Sequence, residues 1–91
     1  MVHSLRTPQH RLFTQEMRRV RLEAGLTQAQ LAERIGVAQS YVAKVEGAER
    51  RLDVVEFLLW LRACDAKDQS RPILDQLIHM GGDIGFGDSQ P

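Results

Sequence analysis

The 91-residue chain has the length and composition of one small globular domain, with 43% hydrophobic and 26% charged residues and no net charge. This mix is too apolar for a disordered chain, and no uncharged apolar run approaches the roughly 20 residues that a membrane-spanning helix needs. The single cysteine, Cys64, excludes an internal disulfide and a cysteine metal cluster. Because residues 1–10 contain no apolar leader segment, we expect a cytoplasmic protein that is stabilised by packing and, at this size, by a second subunit.

The net charge of zero conceals an uneven distribution along the chain. Residues 1–51 hold nine basic residues against five acidic ones, whereas residues 52–91 hold three basic residues against seven acidic ones. A basic half favours a polyanion as its partner, and the acidic half must have a different partner. The charge pattern therefore indicates two surfaces with different partners.

The hydrophobic residues recur at helical spacing throughout, which predicts an all-α chain of five short helices. The first helix begins at Thr7 and Pro8, a hydroxyl cap followed by a proline at the first helical position. It ends at Gly25. The second helix begins after Thr27, which forms a capping box with Gln30.

The second helix is predicted to end at Gly36, and the third helix follows after a short turn and closes at Gly47. Asp53 and Glu56 form an acidic version of the capping box, which opens a fourth helix of about 10 residues. The fifth helix begins at Ser70 and ends at the glycine pair that follows Met80.

The segment 28–47 has the features of a helix-turn-helix, in which two helices are joined by a three- or four-residue turn with one glycine. Ala32 must be small because the next helix crosses close over it. Gly36 can take the left-handed conformation, which costs a residue with a Cβ about 1–2 kcal/mol. Five apolar residues fill the wedge between the two helices: Leu31, Ile35, Val37, Val42 and Val45. By helical spacing, the opposite face of the third helix carries Gln39, Ser40, Ala43 and Lys44.

The run 18–58 resembles the Cro/repressor-like, XRE-type helix-turn-helix regulators of bacteria and phages, and the resemblance covers roughly residues 11–63. It implies a five-helix repressor-like DNA-binding domain whose third helix lies in the DNA major groove. The implied organisation is an N-terminal arm at 1–7, a helix-turn-helix domain at 8–80 with its motif at 28–47 and dimer contacts in 54–80, and a flexible tail at 81–91.

The resemblance also implies the role of each site residue. Gln39 and Ser40 touch base edges, and a glutamine suits adenine because it can accept from N6 and donate to N7. Lys44 donates to guanine or to a phosphate, and Gln28 contacts phosphate and braces Gln39. The implied DNA-binding set is Thr27, Gln28, Gln39, Ser40, Ala43, Lys44, Arg50 and Arg51, with the last two on the DNA backbone.

Four further residues bear on this interpretation. Arg21 and Glu46 align with a structural ion pair of the family that ties the first helix to the third. Ala38 departs from the family pattern, because it cannot cap the third helix as a serine or threonine would, at a cost of about 1 kcal/mol. Glu49 adds an acidic group close to the expected phosphate path, so affinity is expected to depend on dimerisation.

The fourth helix is unusually apolar. Seven of the eight residues from Val54 to Leu61 are apolar, whereas a helix packed on one side needs about three or four in two turns. One interpretation is a well-buried helix. The preferred one is a dimer seam formed by Leu59, Trp60, Leu74, Leu77 and Ile78, since a two-fold dimer can read two half-sites about 34 Å apart.

We therefore expect a sequence-specific transcriptional regulator that represses as a homodimer on a short palindromic operator in double-stranded DNA, although activation by contact with polymerase fits equally well. The alternative is an antitoxin-type or other protein-interaction module whose apolar C-terminal helices bind a toxin or another regulator. His3, His10 and His79 share no metal-ligand spacing with Cys64. With no nucleophilic triad and no phosphate loop in the sequence, we expect no enzyme, no cofactor and no metal.

Overall fold

The computed structural model describes residues 7–80, in which short loops connect five α-helices. The helices are α1 (Pro8–Glu23), α2 (Gln28–Ile35), α3 (Gln39–Glu46), α4 (Val54–Ala63) and α5 (Ser70–Met80), with a 3-10 turn at Lys67–Gln69 before α5. This part of the chain contains no strand, so the all-α prediction is confirmed. The tail predicted at 81–91, and all but the last residue of the arm predicted at 1–7, lie outside the described residues. None of the helices in 7–80 is long and apolar enough to cross a membrane.

The predicted helix starts are confirmed by their caps. The Thr7 hydroxyl accepts a hydrogen bond from the backbone N–H of His10 at 3.1 Å, with a proline at the start of α1. The side chain of Thr27 accepts from the backbone of Gln30, whose own side chain returns a bond to the backbone of Thr27. At the start of α4, Asp53 and Glu56 form an equivalent reciprocal pair of hydrogen bonds. These local bonds satisfy N–H groups that a helix start leaves unpaired.

The predicted helix ends hold for α1 and α2 but only in part for α3. Gly25 and Gly36 both adopt the left-handed conformation, with φ of +76° and +91°. After α3, however, Gly47 has φ of −85°, and the next residue, Ala48, takes the left-handed conformation with φ of +61°. Because alanine carries a Cβ, this turn is strained by about 1–2 kcal/mol.

One core joins side chains from all five helices. The largest residue in it is Trp60, which has no exposed surface and whose indole N–H donates to the backbone carbonyl of Met17 at 3.1 Å. The prediction that Trp60 lies in a dimer seam is therefore wrong, since its whole side chain packs within its own chain and its polar atom is satisfied there. The other fully buried side chains are Met17, Leu31, Val42, Val45, Leu61 and Ile73.

The apolar excess of α4 remains on the outside of the domain. Phe57, Trp60 and Leu61 point into the core. Four aliphatic residues face solvent, with exposed fractions of 67% for Val54, 62% for Val55, 50% for Leu58 and 41% for Leu59. The interpretation of α4 as a helix buried in its own domain is therefore wrong.

Candidate nucleic-acid interface

The α2–α3 pair has the geometry of a helix-turn-helix. The turn between the helices is closed by the backbone N–H groups of Gly36 and Val37, which both donate to the carbonyl of Ala32 at 2.8 and 3.0 Å. Ala32 is itself buried, as are Leu31 on α2 and the two valines of α3. The apolar positions predicted for the wedge therefore fix α3 by its inner face and leave its outer face uncovered.

The outer face of α3 carries four exposed residues, Gln39, Ser40, Ala43 and Lys44. Within residues 7–80, the side chains of Gln39, Ser40 and Lys44 form no hydrogen bond or ion pair. Their donors and acceptors are thus available to a ligand. The small Ala43 between them lets a surface approach the helix closely.

The start of α3 differs from the starts of the other capped helices. Ala38 occupies the cap position in an extended conformation and makes no side-chain hydrogen bond. In the described part of the chain the backbone N–H groups of Gln39 and Ser40 also make no hydrogen bond. Unpaired N–H groups and the positive end of the helix dipole at this point favour an anion.

A buried hydrogen-bond network anchors the end of α3. The guanidinium of Arg21 on α1 donates to both carboxylate oxygens of Glu46 at 2.6 and 2.9 Å, and to the backbone carbonyl of Leu26 at 2.8 Å. The side chains of Arg21 and Glu46 are only 7% and 4% exposed. The hydrogen bonds that Arg21 donates to Glu46 raise the pKa of the Arg21 guanidinium. The geometry expected for this ion pair is present.

Gln28 joins this network instead of bracing Gln39. Its side-chain amide donates to Glu46 Oε1 at 3.1 Å, so the bracing of Gln39 by Gln28 that the resemblance implied is replaced by a bond to the buried carboxylate. A glutamine amide has two N–H donors, and the second remains for another acceptor. The hydroxyl of Thr27, which accepts the capping bond, likewise keeps its own hydrogen for donation.

The two arginines in the loop after α3 differ in their surroundings. The guanidinium of Arg50 lies 4.3 Å from the centre of the Tyr41 ring and pairs with Glu56 at 3.2 Å. It also donates to the backbone carbonyl of Arg51 at 2.7 Å. Arg51 is exposed, and within the described residues its side chain has no partner. Of the two arginines predicted to bind the DNA backbone, only Arg51 is uncommitted.

Glu56 and Tyr41 were not recognised as site residues from the sequence. Glu56 was assigned to the capping box, and its Oε1 does accept from the backbone of Asp53 at 2.9 Å. The same carboxylate also binds Arg50, and this hydrogen bond is the main reason that the pKa of Glu56 is lowered. The six-residue spacing between Arg50 and Glu56 spans a loop, so helical periodicity gives no signal for their contact.

The residues assigned to the dimer seam lie in different places. Leu59 on α4 and both Leu74 and Ile78 on α5 are exposed, and Leu77 is half-buried. Together with the buried Trp60, these positions do not form one face. An apolar surface nevertheless exists where α4 and α5 meet.

The described residues offer little for metal or thiol chemistry. Residues 7–80 contain no group of three or more His, Cys, Asp or Glu side chains that could hold a metal ion. Cys64 is buried at the end of α4, and burial raises the pKa of its thiol to about 11. Since the thiolate is the reactive form, this cysteine is a packed side chain with low reactivity.

Comparisons with known proteins agree with this geometry. A family model described as a helix-turn-helix domain matches residues 12–73, which run from α1 into α5. Among solved structures, the chain is similar to an XRE-family like protein from Pseudomonas syringae pv. tomato str. DC3000. The two share 38% sequence identity with a TM-score of 0.69, over 79% of this chain and 85% of that one. No protein of curated function matches the chain.

Proposed function

Since this chain belongs to the helix-turn-helix domain family and is an XRE-type DNA-binding regulator, we propose that it is a sequence-specific repressor acting as a dimer on a short palindromic operator. Proteins of this family are typically not enzymes. The observation that carries the proposal is the outer face of α3. Its exposed side chains have no partner within residues 7–80, and the helix is anchored by buried residues at its inner face. Such a rigid element suits the reading of base edges.

The residues of the first turn of α3 contact the bases. Gln39 can form two hydrogen bonds with an adenine, and Ser40 beside it can donate or accept. Lys44, one turn further along, serves either a guanine or a phosphate. The absence of a large side chain at Ala43 supports close contact of α3 with the floor of the groove.

Contacts with the DNA backbone come from both sides of α3. On one side Thr27 and Gln28 at the start of α2 each retain one donor for a phosphate oxygen. On the other side Arg51 supplies a positive charge. Because Arg50 is held by Glu56 and by the face of Tyr41, its role is to shape this loop so that Arg51 faces the phosphate.

Dimerisation follows from the size of the reading element. An eight-residue helix is about 12 Å long, which covers only a few base pairs of B-DNA. Two copies related by a two-fold axis would read half-sites about 34 Å apart and gain the specificity that one copy lacks. A dimer of this kind represses by occupying a promoter.

A protein-interaction role is the second candidate. The four exposed aliphatic residues of α4 favour it, because a contiguous apolar surface commonly marks an interface. A toxin or another regulator bound there would make the chain an antitoxin-type module. The two functions are compatible, since α3 and the outer face of α4 involve different residues.

Selection from random-sequence DNA at two salt concentrations tests the primary function. A recovered palindrome with half-sites one helical turn apart supports a dimeric reader. A single recovered half-site would contradict the dimer, and enrichment of no sequence would contradict the repressor.

Substitutions then separate base contacts from phosphate contacts. Gln39→Ala should cost about 1–3 kcal/mol of binding free energy at one base position and little on other sequences. Gln15→Ala, on the exposed face of α1, serves as its control. A uniform loss on all sequences would contradict base reading by Gln39.

Arg51→Ala should weaken binding to every sequence and lower the slope of log affinity against log salt concentration by about 0.9. The same change at Arg50 should leave that slope unaltered, because its guanidinium is already paired. Lys67→Ala, in the turn before α5, is the control for removing a positive charge. Equal slopes for the Arg50 and Arg51 variants would contradict this division of roles.

A further inference from the structure

Glu56, the third residue of α4, binds two separate groups of the loop that follows α3. Its carboxylate accepts from the backbone N–H of Asp53 at 2.9 Å, which completes the cap of α4. The same carboxylate accepts two hydrogen bonds from the guanidinium of Arg50, at 3.3 and 3.2 Å. A neutral glutamine completes a capping box as well as a glutamate does. The cap alone therefore does not account for a negative charge at this position.

The guanidinium of Arg50 is held by three groups. Besides its bonds to Glu56, it donates to the backbone carbonyl of Arg51 at 2.7 Å, and it lies 4.3 Å from the centre of the Tyr41 ring. The two bonds to Glu56 use both terminal nitrogens. These nitrogens form the fork with which an arginine binds two oxygens of a phosphate. The carboxylate of Glu56 thus occupies the donors that a phosphate would need.

Arg51, the next residue, is in the opposite state. It is exposed, and its side chain has no partner within residues 7–80. Two adjacent arginines beside α3 therefore differ in their charge available to DNA, because Glu56 pairs with the first of them. An arginine that is neutralised by a carboxylate cannot neutralise a phosphate and release its counterion.

We propose that Glu56 is a positioning residue that competes with DNA phosphate for Arg50, and that it thereby limits the arginine contacts of this loop with the DNA backbone to the one made by Arg51. This inference rests on the proposed function and deepens it, because it gives Glu56 a role in binding without a contact to DNA. The side chain of Arg50 is 40% exposed, so a phosphate can reach it once the carboxylate is removed.

The consequence of this competition is a lower affinity for DNA of any sequence. Phosphate contacts carry no direct sequence information, and they supply nearly all of non-specific binding. With one such contact fewer, the chain depends more on the base contacts of Gln39 and Ser40. Because a genome contains a large excess of competing sites, weak non-specific binding leaves more of the protein free to occupy its operator.

Glu56→Gln in the whole chain tests the competition. Glutamine keeps the shape of the side chain and an oxygen acceptor for the cap of α4, but it removes the charge that pairs with Arg50. We expect this variant to bind both the selected operator and a scrambled duplex about three- to tenfold more tightly at low salt, with a slope of log affinity against log salt concentration that is steeper by about 0.9. Its base preference should remain that of the wild type.

Three further variants identify the source of the added contact. R50A/E56Q should return to the wild-type slope, because the released arginine is absent, whereas R50K/E56Q should keep the steeper slope, because a lysine also binds phosphate. Glu49→Gln removes a negative charge from the same loop without releasing an arginine, since the side chain of Glu49 has no partner in the described part of the chain. It should leave the slope unchanged. Circular dichroism and urea denaturation check the folding of each variant.

The outcomes separate this role from the proposed function. If selection recovers no operator, the repressor fails, and the slope on the scrambled duplex still decides the role of Glu56. A folded Glu56→Gln variant with an unchanged slope or a lower affinity overturns the competition. A steeper slope that persists in R50A/E56Q, or that Glu49→Gln reproduces, also overturns it, because the added contact would then not come from Arg50.

Discussion

The buried ion pair between Arg21 and Glu46 allows the most quantitative test of how α3 is held in place. Replacing Glu46 with glutamine keeps the shape of the side chain but removes its charge, which leaves the guanidinium of Arg21 buried without a counter-charge. Breaking a buried pair by removing one partner costs about 3–5 kcal/mol. A 91-residue domain of ordinary stability has a free energy of unfolding of only about 5–14 kcal/mol. Glu46→Gln should therefore remove a large share of this free energy of unfolding.

A double-mutant cycle in urea denaturation measures this effect. Arg21→Met should be about as costly as Glu46→Gln, because it leaves the carboxylate of Glu46 buried with only the amide of Gln28 and no cation. The double variant should lose much less than the sum of the two single losses, since no unpaired charge remains. Equal m-values across the variants would show that the change lies in stability and not in the surface exposed on unfolding.

Arg19→Met provides the matched control on the same helix. Arg19 pairs with Glu16 and Glu23 at 2.8 and 2.9 Å, but its side chain is 34% exposed. A pair in contact with solvent contributes below about 1 kcal/mol. If Glu46→Gln cost no more than Arg19→Met, or if the losses for Arg21 and Glu46 were additive, burial of the pair would not be what anchors α3.

Four smaller predictions follow from local geometry. Gly36→Ala should destabilise the domain by about 1–2 kcal/mol in urea, because the new Cβ meets no atom within 4 Å and the cost arises from φ alone. Ala48→Gly should raise stability by about 0.5–1 kcal/mol, as relief of the left-handed strain exceeds the added entropy of the unfolded chain. The hydrogen bond from Arg19 lowers the pKa of Glu16, so this contribution to stability is present above pH 4.5 and is lost as the pH falls through the lowered pKa. The melting temperature of the Glu16→Gln variant should therefore vary less with pH below 4.5 than that of the wild type. Amide hydrogen exchange at Gln39 should slow when operator DNA is added, and an unchanged rate would exclude a phosphate at this uncapped position.

Most of the fold could be predicted because its signals are local. A threonine followed three residues later by a glutamine fixes the start of α2, and Gly36 fixes its end, whatever the rest of the chain does. The orientation of α4 could not be predicted in this way. When seven of eight residues are apolar, periodicity no longer distinguishes the inner face from the outer one. Packing against the other helices places Trp60 inside, where its indole N–H bonds to α1, and leaves Leu59 outside.

The same distinction applies to the candidate site. The outer face of α3 follows from helical spacing, because Val42 and Val45 must point inward. The partners of Arg50 and Gln28 depend instead on how separate helices meet. Such contacts have no fixed spacing in sequence, so a resemblance transfers residue positions more reliably than their hydrogen bonds.

These contacts leave α3 unevenly constrained along its length. Its C-terminal end is tied to α1 by Glu46, and the face of Tyr41 is covered by Arg50, which is in turn bound to the start of α4. Its N-terminal end has only the backbone turn and no side-chain cap. Because Gln39 lies at this end, the part of the helix assigned to base reading is also the part with the fewest internal bonds. A DNA phosphate would supply the missing acceptor, so binding of a phosphate at this turn and recognition of the operator are expected to occur together.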